Sequence, residues 1–366
     1  MSSYIDDISA VTSSFDAAMT LSIRMVYEAA ALGLSLEIPK CSLFPRHAMK
    51  SLGSIADLTT FQFRLSRSRI KKIHAAANEL MCEAQRNPNS VPAKVVARFI
   101  GLIWSSANCC HRAASVMLRG ILSVLTHEMR AQLWSAQGLP IKNVLNQFWS
   151  GYVSWNRHAQ AQLSFWMQVD FASLRAPISA DVLGKTIEMA FDYPSLVDPT
   201  GVQLLFQDAS ATAAGGGVLR LANGAWHIDR RLFLAAFSPQ QREYSSTLRE
   251  ILGVLWCTMA LADPSKQKII FACDNQQTVD AIKSGSNVPL IQLVAERIFA
   301  WCLANNKCCW PVWLPRKHRI IRIADKRSRL KIPHDQRSPS AVVYKSHFSG
   351  EGRTELLLLH TEFSPH

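Results

Sequence analysis

VQLLFQDASATAAGGGVLRLANGAWHIDRRLF, residues 202–233, decides the fold of the C-terminal half of this chain. The apolar run VQLLFQDAS at 202–210 predicts a strand that ends near an acidic residue. Gly215 to Gly217 begin the next strand, GVLRLA, and Asn223-Gly224 is a strong hairpin-turn signal into a third strand, WHIDRRL. The stretch therefore predicts three consecutive strands at the start of a sheet.

Helices and strands alternate in the sequence that follows this stretch. The pattern predicts a helix from about residue 247, the strand KIIFACD, a short helix TVDAIKSG, a longer helix at 289–304, the strand KCCWPVWL and a last helix that begins at Asp325. The order β-β-β-α-β-α-α-β-α predicts an α/β domain with a mixed five-stranded sheet and helices on both faces.

The first 200 residues follow other patterns. Residues 1–12 predict two short strands around a turn, Ser13 and Ser14 are N-cap candidates for a helix that stops at Gly33, and 34–45 predict another strand. This order is typical of part of an α+β sheet domain. Helical spacing follows from Ser66, and a helix at 154–170 precedes a stretch with three prolines. We expect these sections: 1–65 partial α+β domain, 66–137 helical, 138–200 connection or linker, 201–331 α/β domain, 332–366 tail of unknown role.

The charge of the chain indicates a polyanionic partner. Its 366 residues include 40 Lys and Arg against 27 Asp and Glu, which gives a net charge of +13. Cationic side chains gain affinity for nucleic acid by releasing counterions from phosphates, although an anionic membrane surface or a ribosomal partner fits the same composition. A basic cluster in the helical section can be a phosphate-contacting face or a solvated helix face; its members are Arg67, Arg69, Lys71 and Lys72.

The cysteines predict buried thiols in a reducing compartment. None of the nine falls in a CxxC pair, and several lie within apolar helix or strand patterns. We therefore expect an intracellular protein, cytoplasmic or nuclear and not secreted. The chain has no signal-peptide pattern at its start and no apolar run near the ~20 residues that cross a bilayer, so we expect no membrane partner.

Four acids lie at the ends of predicted strands or near the starts of predicted helices. Asp208 and Asp274 end predicted strands, Glu250 lies near the start of a predicted helix, and Asp325 begins the last one. Strand ends and the helices after them meet at one sheet edge, where each pair of carboxylates would repel by on the order of 4 kcal/mol. Two divalent cations would remove this repulsion, and oxygen ligands without His or Cys favour Mg²⁺ or Mn²⁺ over zinc.

Each acid also has a purely structural interpretation. Asp208 and Asp274 fit turn or N-cap positions, Glu250 completes a capping box with Thr247, and Asp325 fits the first turn of a helix, where the helix dipole favours it. Spacing alone does not decide between these roles and a metal site.

Four motifs in order resemble a retroelement ribonuclease H. They are LLFQDAS (204–210) with the glycine triplet, YSSTLREILGV (244–254), FACDNQQTVDAI (271–282), and WLPRK with IADKRSR (313–317 and 323–329). They are most similar to tyrosine-recombinase retrotransposons of the DIRS type. The resemblance implies that Asp208, Glu250, Asp274 and Asp325 bind two metal ions and that the substrate is an RNA–DNA hybrid or another duplex. Cations expected at its phosphates include Arg316, Lys317 and Arg327.

The loop before Asp325 departs from that family. Trp313 and Asp325 are spaced more widely than usual, and Arg319 or Ile320 stands where an Asn is expected. Some ribonucleases H use a loop His to help product leave, and His318 is the local candidate. The departure leaves open an inactive remnant that only binds nucleic acid. An integrase of the same superfamily shares the acids but does not explain the first part of the chain.

A second resemblance covers the N-terminal residues. Tyr4-Ile5-Asp6-Asp7 resembles the YxDD hairpin of a reverse transcriptase palm, which implies that Asp6 and Asp7 are metal ligands. GLSLEIPKCSLFP (33–45) is similar to the next palm motif, with Lys40 in the place of a lysine proposed to protonate pyrophosphate. Ser51-Leu52-Gly53 resembles the hairpin that grips a primer. The section 66–137 would then be the thumb.

The palm resemblance also implies what this chain lacks. The other palm metal ligand and the fingers would precede residue 1, which leaves open an upstream polyprotein segment that supplies them, a gene-model fragment or a decayed copy. We therefore do not expect this chain to polymerise DNA alone. It resembles the C-terminal part of a reverse transcriptase–ribonuclease H polyprotein.

Overall fold

Short strands and one long helix form the N-terminal part. The computed structural model describes residues 2–4, 7–9, 14–34, 44–51, 53–60, 62–110, 113–136, 140–177, 202–222, 225–330, 341–345 and 357–359. Strands β1 (Ser2–Tyr4) and β2 (Asp7–Ser9) pair antiparallel, with Tyr4 opposite Asp7. Helix α1 (Phe15–Ala31) begins after the N-cap Ser14 and is followed by Gly33 at φ +72°. The predicted strand pair and helix are confirmed, whereas Asp6 and Lys40 lie outside the described residues and the palm interpretation stays a prediction.

An antiparallel sheet leads into the helical section. Strands β3 (Ala48–Ser51), β4 (Ser54–Asp57) and β5 (Gln62–Leu65) pair in that order. The predicted 51–53 hairpin therefore connects β3 to β4. The sheet ends next to α2 (Arg67–Arg86), whose N-cap is Ser66.

The helical section is longer than the sequence predicts. After α2 come β6 (Ser90–Pro92), α3 (Ala93–Trp104), α4 (Ala107–Cys110), α5 (Ala113–Val116), α6 (Arg119–Ser135), α7 (Ile141–Ser150), β7 (Tyr152–Ser154), α8 (Arg157–Gln168) and β8 (Ala176–Pro177). Helix α7 packs on α3 and α6, and α8 packs on α2 and α6. Strand β7 pairs with β6, and β8 extends the sheet at β5. The first half of the predicted linker is thus part of the helical body.

A mixed sheet with flanking helices forms the C-terminal part, as the sequence predicts. Its elements are β9 (Val202–Ala209), β10 (Ala213–Ala222), β11 (Ala225–Ala236), α9 (Pro239–Arg242), α10 (Ser246–Leu261), β12 (Lys268–Cys273), α11 (Gln276–Ser284), α12 (Pro289–Ala304), β13 (Cys308–Trp313), α13 (Arg319–Ser328), β14 (Ala341–Lys345) and β15 (Leu357–Leu359). The strand order is β13-β12-β9-β10-β11-β14-β15. Strand β12 runs parallel to both β9 and β13, and the other pairs are antiparallel.

The tail changes the predicted strand count. Five strands were expected, and β14 and β15 from the tail extend the sheet to seven by pairing next to β11. Apolar runs in the tail therefore supply the last two strands of this sheet, with β15 at the edge.

One hydrophobic core joins the helical section to the mixed sheet. A continuous cluster of buried side chains runs from Leu65 through Phe99 and Trp166 to Phe271 and Cys309. Helix α10 is buried almost all round because the sheet lies on one side and α12 on the other. A second cluster on the opposite sheet face lies under α13. Burying a large aromatic side chain contributes roughly 1.5–3 kcal/mol, so the two sections stabilise each other through this core.

The cysteine prediction is confirmed for the buried thiols. Of the free cysteines that the structure describes, Cys82 is exposed and the following are buried: Cys109, Cys110, Cys257, Cys273, Cys302, Cys308 and Cys309. In the described parts of the chain, no single helix has the length and hydropathy to cross a membrane; α11 and α12 pass together but bend by 61° at their break.

Candidate active site

Three of the four predicted acids meet at one edge of the mixed sheet. Asp208 is the penultimate residue of β9, and Asp274 directly follows β12, the parallel neighbour of β9. Glu250 lies in α10, which packs on β9. One carboxylate oxygen from each of the three lies within 4.8 Å of the others. The predicted convergence of Asp208, Glu250 and Asp274 is thus observed.

Asp325 is placed differently from its prediction. Helix α13 begins at Arg319, so Asp325 lies in its C-terminal half and not at its start. The first-turn interpretation of this acid is therefore wrong. Asp325 is outside the group of three, but its charge raises the pKa of Asp208. The Oδ1 atom of Asp325 accepts from Arg329 Nη2 at 2.7 Å.

Other residues fill the structural roles that Glu250 and Asp274 could have had. Ser245 caps α10 by accepting from Leu248 N at 3.2 Å, and Thr247 Oγ1 donates to Gln277 instead of forming a capping box. The residue after Asp274 is the N-cap of α11. Neither acid therefore has a capping function.

Asp208 has no turn function either, since it pairs within the sheet opposite Gly215. It is 4% exposed and Glu250 is 3% exposed. Burial of acids without a capping or turn role is costly unless something compensates their charge.

The chain holds Glu250 and Asp208 with neighbouring donors. Glu250 Oε2 accepts from the Ala209 backbone N at 2.8 Å, and its Oε1 accepts from Gln207 Nε2 at 2.8 Å. Ser328 Oγ lies 3.0 Å from Asp208 Oδ2 and 2.9 Å from the Asp325 carbonyl oxygen. A hydroxyl has one proton to donate, so Ser328 serves one of these acceptors at a time. Two donors thus hold both oxygens of Glu250, and one shared hydroxyl reaches Asp208.

Sequence reasoning missed Gln207 and Ser328. The signal for Gln207 is a polar residue inside an apolar strand, since strand alternation turns it to the face that α10 covers. Ser328 lies three residues after Asp325 and so on the same side of α13.

Burial and mutual repulsion make the two buried carboxyls hard to ionise. Burial and then the charge of Asp274 raise the pKa of Asp208 to about 6, while Ser328 opposes the shift. Burial and then the charges of Asp208 and Asp274 hold the pKa of Glu250 well above its ordinary range. A bound cation would reverse these penalties.

We expect cation binding to depend on pH through Asp208. Its folded pKa of about 6 exceeds its ordinary value of 3.8. The ionisation of Asp208 therefore lowers the stability of the metal-free protein as pH rises from about 4 to 6, by on the order of 3 kcal/mol. A cation binds the ionised form, so the rise in melting temperature that Mg²⁺ gives over EDTA should be larger at pH 8 than at pH 5. Equal shifts at both pH values would contradict this prediction.

One arginine of the loop before α13 lies against the acid cluster. Arg316 Nε donates to Asp274 Oδ2 at 2.8 Å, and Trp313 Nε1 donates to the Asp274 carbonyl oxygen at 3.0 Å. The predicted phosphate ligand Arg316 is thus ion-paired with an acid of the site. The other predicted ligand in its loop, Lys317, is exposed beside it.

The remaining predicted nucleic-acid ligands differ in exposure. Arg327 is half-buried, and its Nε atom is buried without a hydrogen-bond partner among the described residues. On α2, Arg67, Lys71 and Lys72 are exposed, whereas Arg69 is half-buried. Their contacts with nucleic acid stay a prediction.

His318 has a structural role in this arrangement. It is the N-cap of α13, and its Nδ1 accepts from Ile320 N at 3.3 Å. The assisting role in product release stays a prediction.

The donor set at this edge suits a hard divalent cation. Among the described residues, Asp208, Glu250 and Asp274 are the only group of three or more His, Cys, Asp or Glu side chains close enough to share an ion. All three offer carboxylate oxygens, which Mg²⁺ and Mn²⁺ prefer. The side chain of Asp7 is not among those described, so its role as a metal ligand stays a prediction.

Comparison with known proteins finds distant structural likeness. No protein-family model and no curated protein match the chain. Ribonuclease H1 from the halophilic archaeon Halobacterium salinarum is 15% identical with a TM-score of 0.26, over 35% of this chain and 91% of that chain. The foamy viral protease-reverse transcriptase in complex with an RNA/DNA hybrid is 9% identical with a TM-score of 0.29, over 90% of this chain and 36% of that chain. Its complex with double-stranded DNA is 10% identical with a TM-score of 0.29, over 83% of this chain and 44% of that chain.

This chain thus spans less than half the length of the foamy viral proteins that it matches. TM-scores this low do not decide a function, which has to follow from the arrangement of the chain's own residues.

Proposed function

We propose that residues 201–331 form a ribonuclease H-type endonuclease that hydrolyses the RNA strand of an RNA–DNA hybrid with two divalent metal ions. The observation that carries the proposal is the convergence of Asp208, Glu250 and Asp274 at the carboxyl edge of parallel strands. The four ordered sequence motifs that resemble ribonuclease H supply these acids and Asp325.

The residues fit Mg²⁺ or Mn²⁺. Asp208 and Glu250 are buried acids, and burial followed by the charges of nearby carboxylates, Asp274 among them, raises the pKa of both. A divalent cation bound among these acids would therefore be strongly favoured. Bound there, two such ions would activate a water for attack on the scissile phosphate and stabilise the oxygen that leaves.

The chain's own groups position these ligands. Gln207 and the Ala209 backbone hold both oxygens of Glu250, and Ser328 orients Asp208. These donors belong to β9 and α13, so the carboxylates are already oriented before substrate binds. Such preorganisation lowers the free-energy cost of rearranging the site during the reaction. Exposed cations near the edge, such as Lys317, would bind the duplex backbone.

A substrate panel tests the proposal. With Mg²⁺ the whole chain should cleave the RNA strand of a hybrid and leave double-stranded DNA intact, and EDTA should stop the reaction. Hybrid recognition would rely on 2′-hydroxyls and groove shape rather than on sequence. Product lengths on a gel give the readout, and equal cleavage of double-stranded DNA would contradict the substrate assignment.

A catalytically inactive, nucleic-acid-binding retroelement remnant is the second candidate. The observation that favours it is the place of Asp325, which lies outside the group of three and is paired with Arg329. Binding of hybrid with a steep salt dependence, and no hydrolysis at any Mg²⁺ or Mn²⁺ concentration, would decide for this candidate.

A further inference from the structure

The loop between β13 and α13 brings a cation onto one of the metal-binding acids. Arg316 Nε lies 2.8 Å from Asp274 Oδ2, and the Arg316 side chain is 78% exposed while that of Asp274 is 8% exposed. Trp313 anchors the backbone beside this ion pair through the Asp274 carbonyl. The guanidinium therefore approaches the carboxylate from the solvent side, the side from which a cation and a substrate must also arrive.

We infer that Arg316 is a displaceable counter-ion that pairs with Asp274 in the metal-free protein, yields this carboxylate to a divalent cation, and then binds a phosphate of the substrate. The second half of this inference rests on the function proposed above. It makes one side chain the link between metal binding and substrate binding.

Charge and geometry favour this exchange over a fixed ion pair. A guanidinium and a divalent cation repel each other, so a cation that binds the Asp274 carboxylate weakens its ion pair with Arg316. An ion pair with so exposed a partner contributes little, which makes Arg316 the weaker competitor. Once released, its planar fork suits two phosphate oxygens better than an ammonium does.

The first arm of the test measures Mg²⁺ binding to the free protein by isothermal titration calorimetry. Arg316→Ala should bind Mg²⁺ about two- to fivefold more tightly, because the competing ion pair is gone. Arg322→Ala removes the same charge from an exposed position of α13 that makes no ion pair with an acid among the described residues. Its Mg²⁺ affinity should stay close to that of the wild type.

The second arm measures hybrid binding by stopped-flow anisotropy, before cleavage proceeds. With Mg²⁺ present, Arg316→Ala should weaken binding about tenfold and lower the salt slope by about one, and Arg316→Lys should fall between it and the wild type. In EDTA, the wild type and Arg316→Ala should differ far less, since the arginine is then held by Asp274.

The two arms separate this inference from the proposed function. Unchanged or weaker Mg²⁺ affinity in Arg316→Ala would overturn the inference, and so would an equal loss of hybrid affinity with and without Mg²⁺. If both arms behave as expected but the wild type hydrolyses nothing, the exchange stands and the proposed hydrolysis fails.

Discussion

Asp208→Asn should abolish hydrolysis and at the same time stabilise the metal-free protein. The expected loss of rate is roughly 10³-fold or more, because the ligand that connects Glu250 to Asp274 in the acid cluster is lost with its charge. Ordinary damage to a fold lowers activity and stability together. Opposite signs are therefore diagnostic of a residue whose charge is kept for function.

The gain in stability follows from the pKa of this carboxyl. Its folded value of about 6 against an ordinary 3.8 makes ionised Asp208 unfavourable at pH 8 by on the order of 3 kcal/mol. An asparagine removes the charge and keeps an oxygen that can accept from Ser328. We expect the free energy of unfolding to rise by up to about 3 kcal/mol and the melting temperature to rise by several degrees.

Thermal unfolding in EDTA at pH 8 measures the expected gain in stability of Asp208→Asn, and hydrolysis rates in Mg²⁺ measure its expected loss of activity. Asp280→Asn is the matched control, since Asp280 is an exposed acid on α11 that contacts Gln276. This control should leave both quantities near the wild-type values. A destabilised but active Asp208→Asn protein would remove Asp208 from the site.

The convergence of the acids could be predicted because it depends on strand ends. Asp208 and Asp274 each close an apolar strand, and parallel neighbours bring their carboxyl ends to one edge. The contacts that orient the acids could not be predicted in this way. The Arg316–Asp274 pair joins residues 42 positions apart, and the Ser328–Asp208 pair joins residues 120 apart. Such pairs depend on how a loop and a helix lie over the sheet, which local patterns do not record.

The misplaced start of α13 has a local cause. Its N-cap is His318, a residue type that seldom caps helices, so the sequence offered Asp325 as a more typical first-turn residue. The underestimated linker has a similar origin. Only Val144 and Phe148 of the ten residues of α7 are buried against the helical body, which is a weak apolar pattern for a helix. Edge pairing of the tail is long-range and has no sequence signature.

Gly215→Ala should add a damaging methyl group between β10 and α13, close to the acid cluster. A Cβ atom at this position would lie 2.6 Å from the Ser328 backbone N and 2.9 Å from the Arg327 carbonyl carbon. Both are backbone atoms of the last turn of α13 and cannot rotate away. The helix must shift, at a cost of roughly 1–3 kcal/mol in the free energy of unfolding.

The shift also moves Ser328 and Asp325 relative to Asp208, because Ser328 and Asp325 share the last turn of α13 and Ser328 Oγ donates to Asp208. Displacements near 1 Å at a reacting centre cost about 10²-fold in rate, so hydrolysis should fall by that order even in the molecules that remain folded.

Gly101→Ala provides the matched control for this substitution. Gly101 lies in the exposed part of α3 with nothing within 4 Å of an added Cβ. The same methyl group should there raise the free energy of unfolding by up to about 1 kcal/mol, because alanine favours a helix. In urea unfolding, the free energy of unfolding should fall for Gly215→Ala and rise for Gly101→Ala. The hydrolysis rate should fall only for Gly215→Ala. If Gly215→Ala unfolded and hydrolysed like Gly101→Ala, α13 would not lie close to β10, and the coupling of Asp325 to the acid cluster would lose its structural basis.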